Sequence, residues 1–185
     1  MDTSQAAIAP PYRMNTRARF EAEVMRHLGA AYNLARWLAR NDQDAEDVTQ
    51  EAALRAFRYF EGFRGGDARV WLLTIVRNTF YSMRAGASQD RLLDDFDEVL
   101  QGRADEDTPD PEVLLLRAAD AQQVRAALQA LPAEYREILV LREFEECSYK
   151  EIAAITQLKI GTVMSRLARA RQRLAVAVAG AETSS

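Results

Sequence analysis

Apolar residues recur along most of this chain at three- and four-residue steps, the period of helices that bury one face. The first run is Phe20, Val24, His27 or Leu28, Ala31, Leu34 and Leu38, and Asn41-Asp42 interrupts it. A second run, Ala45, Val48, Ala52, Ala56 and Phe60, predicts another helix, closed by Gly62, Gly65 and Gly66,. A third predicted helix covers about Ala68 to Arg84, with Trp71, Ile75, Val76 and Phe80 among its apolar positions. No segment alternates with the two-residue period of a half-buried strand.

Helical signal returns at Val113, where Leu114, Ala118, Ala121, Val124, Leu128 and Leu131 fall in step. Pro132 suits the first turn of a following helix, which carries Tyr135, Ile138 and Leu139 and reaches about Phe144. Ser148-Tyr149-Lys150-Glu151 has the pattern of a capping box, in which hydroxyl and carboxylate each satisfy one orphan amide of the first turn. It opens a short helix, 149–155; a turn at Thr156–Gly161 then leads into a helix to about Val176, with Val163, Leu167, Ala170 and Leu174 inward. Short helix, turn with a glycine and longer helix is the helix-turn-helix pattern.

Between the two groups of helices the composition changes. Gly86 to Glu112 holds ten acidic residues against Arg91 and Arg103, and ends in Pro109 and Pro111. A like-charge run with prolines reads as an extended linker, with room for one short helix at Leu92–Leu100. The expected organisation is all-α: a loose tail at 1–15, a helical domain at 16–85, an acidic linker at 86–112, a helix-turn-helix domain at 113–176 and a second tail at 177–185.

The residue counts narrow the chemistry. Among 185 residues, Cys147 is the sole cysteine and His27 the sole histidine. That speaks against a disulfide scaffold, a zinc finger and a Cys–His nucleophile pair. No catalytic constellation, metal site or cofactor is expected. No apolar run approaches the 18 residues of a membrane span, and the first residues lack the basic start and apolar core of a signal peptide. The expected location is the cytoplasm, without membrane insertion. A net charge of -4 would count against nucleic-acid binding if the charges were mixed, but they are segregated.

Three clusters can carry function. From Thr156 to Arg173 five basic residues meet no acidic one, and Thr162, Ser165, Arg166, Arg169 and Arg173 can share a helix face, with Lys159 ahead of them. Such a face can neutralise phosphates and reach base edges in the major groove; a solvated basic helix has the same look. Asp44, Asp47 and Glu51, with Gln50 beside them and Arg55 one turn on, form a stripe of opposite sign on the second helix,. It suits a docking face, and also ordinary solvated charge; a carboxylate metal site would need a second acidic helix facing it. The third cluster is the loop Phe60–Gly66 and the helix after it, where Phe60, Phe63, Arg64, Arg77 and Asn78 combine aromatic rings, cations and an amide. Unstacked bases take these groups as stacking faces, phosphate partners and edge contacts. Trp71 and Phe80 read as core.

At these residues the chain resembles a known family. Asp44-Ala-Glu-Asp-Val-Thr-Gln-Glu-Ala-Ala-Leu-Arg-Ala-Phe, then Phe63-Arg64-Gly65 and Trp71-Leu-Leu-Thr-Ile-Val-Arg-Asn78, is similar to region 2 of the ECF (extracytoplasmic-function) sigma factors. Leu131-Pro132, Arg136-Glu137, Leu141-Arg142-Glu143-Phe144, Ser148 to Ala153, and Gly161 to Leu167 with Arg169-Ala170-Arg171 resemble region 4. The resemblance implies a specificity subunit of bacterial RNA polymerase. Asp47, Gln50 and Glu51, joined by Asp44, would meet the clamp helices of the core enzyme. Phe60, Phe63, Arg64, Arg77 and Asn78 would hold the opened -10 strand. The basic helix would read the -35 duplex while its domain rests on the flap. The acidic linker would thread toward the RNA exit path, and an anti-sigma protein is an expected partner. Lys159 stands where a proline is common in the family, Met164 where a basic residue is common, and Glu146-Cys147 where Gly-Leu is typical. A decoy that binds only an anti-sigma protein, or an ordinary helix-turn-helix regulator, are the rival readings. Cys147 is compatible with a redox sensor or with inert packing.

Overall fold

Local stops along the chain divide the first half into helices. In this computed structural model, which describes residues 16–88 and 121–182, α1 (Thr16–Glu23) and α2 (Leu28–Ala39) are joined by a 3₁₀ turn at Met25–His27. Periodicity predicts a single helix here. The buried stripe of Phe20, Val24, Ala31 and Leu34 passes straight through the turn, so the bend leaves no mark on the spacing. Arg40 ends α2 in the left-handed region at φ 70, a conformation that costs a non-glycine residue about 1 kcal/mol. Asn41 then restarts the chain. Its side-chain oxygen accepts the Asp44 amide at 2.8 Å, capping α3 (Asp42–Tyr59),.

α4 (Ala68–Ser88) begins where Asp67 accepts the amides of Arg69 and Val70. It packs on both α2 and α3. Fully buried Ala45, Ala52 and Ala56 on α3 let the three helices approach closely around Leu34, Leu38, Val48, Leu72, Leu73 and Val76. Leu72 and Leu73 fill the centre, while Trp71 and Ile75, expected there, are half-buried at its edge. Gly86 does not stop α4, which runs three residues past the expected boundary at 85.

The second half repeats the logic with different caps. α5 (Ala121–Ala130) turns at Pro132, the cap of α6 (Ala133–Leu139). The chain then widens into a π turn at Val140–Phe144, closed by Glu145 N–H to Val140 O at 3.0 Å and Cys147 N–H to Leu141 O at 2.9 Å. The capping box is present: Ser148 Oγ accepts the Glu151 amide at 3.3 Å and Glu151 accepts the Ser148 amide at 2.6 Å. It starts α7 (Tyr149–Thr156). Gln157, at φ 59, makes the left-handed turn into α8 (Ile160–Glu182). Gly161, read from the sequence as the turn glycine, lies inside α8. That helix also runs six residues beyond the expected end at 176, through the start of the expected tail. Ile138, Leu139, Leu141, Ile152, Ile155, Val163, Leu167 and Ala170 form the core of this half.

The described halves pack side by side, α2 against α6 and α4 against α7. There is no strand among the described residues, and no helix long and apolar enough to cross a membrane. The expected tail at 1–15, the acidic run and its short helix at 92–100, and residues 113–120 lie outside the described residues.

Candidate nucleic-acid interface

The stripe on α3 is built from its first turn. Asp44 is exposed, but its carboxylate accepts Asn41 Nδ2 at 2.7 Å, so part of its work is to hold the cap. Asp47 and Gln50 are exposed on the same helix. Glu51 is half-buried and accepts Arg55 Nε at 2.7 Å. One turn on, Leu54 is 60% exposed and shares the face of Asp47, Gln50 and Glu51 by helical spacing. Phe57 and Tyr59 are also exposed near the end of α3. An apolar residue off the buried stripe was the available signal for Leu54, and charge patterning passed over it. The face is thus acidic over its first turns and apolar at Leu54, one turn further on.

The Gly loop separates its two phenylalanines. Phe60 is 2% exposed and packs edge-on against Phe20 at 5.3 Å. Its ring offers no face to a base, which corrects its expected place in the strand-holding set. What Phe60 does is support Phe63, stacked on it at 5.9 Å. Phe63 is half-buried and also meets Trp71 at 4.8 Å. Gly65 and Gly66, at φ 93 and 105, hold left-handed conformations that other residues resist,. They present Arg64 to solvent. On α4, Asn78 is exposed. Arg77 is not open in the same way, because its Nε donates to Glu137 at 2.5 Å across the two halves. Arg64 and Asn78 are thus exposed and Phe63 half-buried, the first two in different places, the loop and the middle of α4, while Arg77 is held back by Glu137.

On α8 the buried stripe of Val163, Leu167, Ala170 and Leu174 fixes which residues face out. Thr162 and Arg173 are exposed, and Ser165, Arg166 and Arg169 are half-buried on one face. Lys159 is exposed just before the helix, and its carbonyl accepts the Val163 amide at 3.0 Å. Arg173 lies over the Tyr135 ring at 4.8 Å, and Arg171 donates to Glu143 at 2.8 Å. Met164, 52% exposed, belongs to a different face. From Ile160 to Arg173 the helix carries four arginines and no carboxylate, so its field favours a polyanion.

Cys147 is fully buried, and burial pushes its thiol up to about 11. Burial that raises a thiol's pKa lowers its thiolate fraction and its reactivity, which favours packing over sensing.

Comparison with known proteins matches these two units separately. Residues 24–89 match the family described as Sigma-70 region 2, and residues 121–174 match Sigma-70, region 4. The RNA polymerase sigma-H factor of Pseudomonas aeruginosa is 34% identical over 161 residues, 84% of this chain and 83% of that protein. The ECF RNA polymerase sigma factor SigE of Mycolicibacterium smegmatis is 37% identical over 154 residues, 82% of this chain but only 58% of that longer protein. Among solved structures, the sigma factor RpoE of Bartonella quintana, crystallised with the anti-sigma factor NepR, aligns with a TM-score of 0.66 at 30% identity. That alignment covers 86% of this chain and 96% of the other. Both regions occur in order on one chain, and the ECF RNA polymerase sigma-E factor of Escherichia coli is 35% identical over 137 residues, 71% of this chain and 72% of that protein, so the protein belongs to the ECF family of RNA polymerase sigma factors.

Proposed function

We propose that this chain joins core RNA polymerase through the α3 face and directs it to promoters, with α8 on the -35 duplex and the Phe63 loop on the opened -10 strand. The observation that carries the reading is the pairing of two faces of opposite sign: exposed Asp47, Gln50 and Leu54 on α3, and on α8 an arginine face that is exposed at Thr162 and Arg173 and half-buried at Arg166 and Arg169. An acidic face that ends in an exposed leucine suits a basic protein surface with an apolar edge. An arginine face beside a helix-turn-helix suits duplex DNA.

Opening a promoter costs stacking, and extruding one base costs on the order of a few kcal/mol. Phe63, Arg64 and Asn78 offset that cost by contacts that only the opened strand can make. The remaining steps belong to the polymerase, and this chain supplies recognition without catalytic residues of its own. Its place of action is the cytoplasm, where core enzyme and DNA meet. An anti-sigma protein is a natural partner, since the RpoE relative was crystallised with one.

Run-off transcription with purified core polymerase on a promoter library tests the proposal. The chain should direct discrete start sites. Asp47→Lys should abolish co-purification with the core enzyme without altering helix content, because Asp47 is exposed and makes no buried contact. Start sites that do not depend on the chain, or unchanged co-purification of the variant, would refute it.

A further inference from the structure

The first two turns of α8 carry an exposed group whose chemistry the arginine face does not explain. Met164 is 52% exposed, and Ile160, at the start of the helix, is 43% exposed. By helical spacing Met164 lies one turn after Gly161 and one turn before Ala168, and all three are exposed,. Arg166 and Arg169 flank this line on one side and are half-buried. Arg171 flanks it on the other and is tied to Glu143 at 2.8 Å. Met164 thus stands further from the core than the arginines beside it.

The surroundings of Met164 select its partner. Lys159 is exposed just before the helix, and no carboxylate occurs from Thr156 to Arg173. An apolar group ringed by cations fits a polyanion that carries apolar points. The major groove of DNA is such a surface, since phosphates form its rims and the C5 methyl of each thymine projects from its floor. A recognition helix sets the side chains of its first turns against base edges. A thioether has no donor and is a weak acceptor, so Met164 does not read a base by hydrogen bonding. What it distinguishes is the presence of a methyl group.

We propose that Met164 is a specificity residue of the -35 contact: its side chain packs on the C5 methyl of one thymine and selects for that base. The proposal rests on the reading of α8 as the duplex-binding helix, and adds to it which base this chain prefers and by what contact. The flanking arginines hold phosphates, which fixes the register of the helix without carrying sequence. Gly161 and Ala168, on either side of Met164, are too short to keep the helix off the groove floor.

The full chain bound to core polymerase is the material for the test. Its affinity is measured for short duplexes that carry the -35 element of a promoter found by run-off transcription. Each thymine on either strand is replaced in turn by deoxyuridine, which lacks the C5 methyl and keeps every hydrogen-bonding group. One replacement should weaken binding about fourfold, the equivalent of one buried methyl. Met164→Ala should weaken binding to the thymine duplex by a similar factor, and should bind the thymine and deoxyuridine forms equally. Met164→Leu should keep most of the discrimination. Because Met164 is exposed, neither change should alter helix content or co-purification with the core enzyme.

Equal affinity for every thymine and deoxyuridine pair would overturn the proposal, as would a methyl effect that persists in Met164→Ala or a -35 element with no thymine on either strand. Loss of the core enzyme by Met164→Ala would overturn it too, since the side chain would then belong to a protein contact. If the chain directs discrete start sites, these outcomes strike the Met164 contact alone. If it directs none, the promoter reading fails and the contact fails with it.

Discussion

Replacing Arg136 with alanine is the sharpest test of how the two halves are held. The side chain is 2% exposed and donates to four carbonyls: Trp37 and Leu131 at 2.6 Å, Gln129 at 3.0 Å and Leu38 at 3.4 Å. Trp37 and Leu38 lie in the last turn of α2, whose carbonyls have no partner within the helix,. Three of the bonds are short. A bond to a charged donor contributes about 1.5 kcal/mol or more, so their loss amounts to roughly 4–5 kcal/mol. Against this, the guanidinium is a buried charge without a carboxylate. Burial, with Arg40 and Arg84 nearby, pulls its pKa down to about 10, and removing such a charge returns about 3 kcal/mol at most, or on the order of 1–2 kcal/mol once solvent screening is allowed for. The net loss is about 3 kcal/mol. With a urea dependence near 2 kcal/mol per molar, the unfolding midpoint should fall by about 1.5 M. Tryptophan fluorescence is the assay, since Trp37 sits at the contact. Arg136→Lys should recover less than half, because one ammonium cannot span the carbonyls a planar guanidinium reaches. A fall below about 0.5 M would refute the reasoning and show that water replaces the guanidinium at little cost.

Two further outcomes follow from burial. Phe60→Ala should cost about 3–5 kcal/mol in thermal or urea unfolding, as expected for a fully buried aromatic, whereas Phe63→Ala should cost about 1 kcal/mol and show instead in permanganate footprints of promoter opening; equal losses of stability would reduce the loop to packing. Cys147 should resist thiol reagents in the folded chain, and stability should fall as pH rises from 9 to 11. The buried thiol keeps its proton up to about 11 against an ordinary 9, so in that window only the unfolded state releases it. Equal labelling rates in folded and unfolded chain would contradict this.

The chain's own order of residues was enough to determine that the protein is helical, that Asn41-Asp42 interrupts one helix and Ser148 starts another, and which apolar stripes α3 and α8 bury. Each of these depends on neighbours three or four residues away, and such contacts are written into spacing. The charge segregation and the two motif blocks were legible for the same reason. Tertiary structure decided what depends on distant partners. The bend at Met25–His27 keeps the apolar stripe intact, so periodicity could not show it. Phe60 and Phe63 are alike in type and three residues apart, yet one is core and the other half-open, because only Phe60 faces Phe20. Arg77 carries the same sequence signal as Arg64, but a carboxylate 60 residues away pairs with it and leaves it half-buried. Spacing along a helix reports one helix's own face; which charge that face meets is set by the packing of the two halves, and that information exists only once they are folded together.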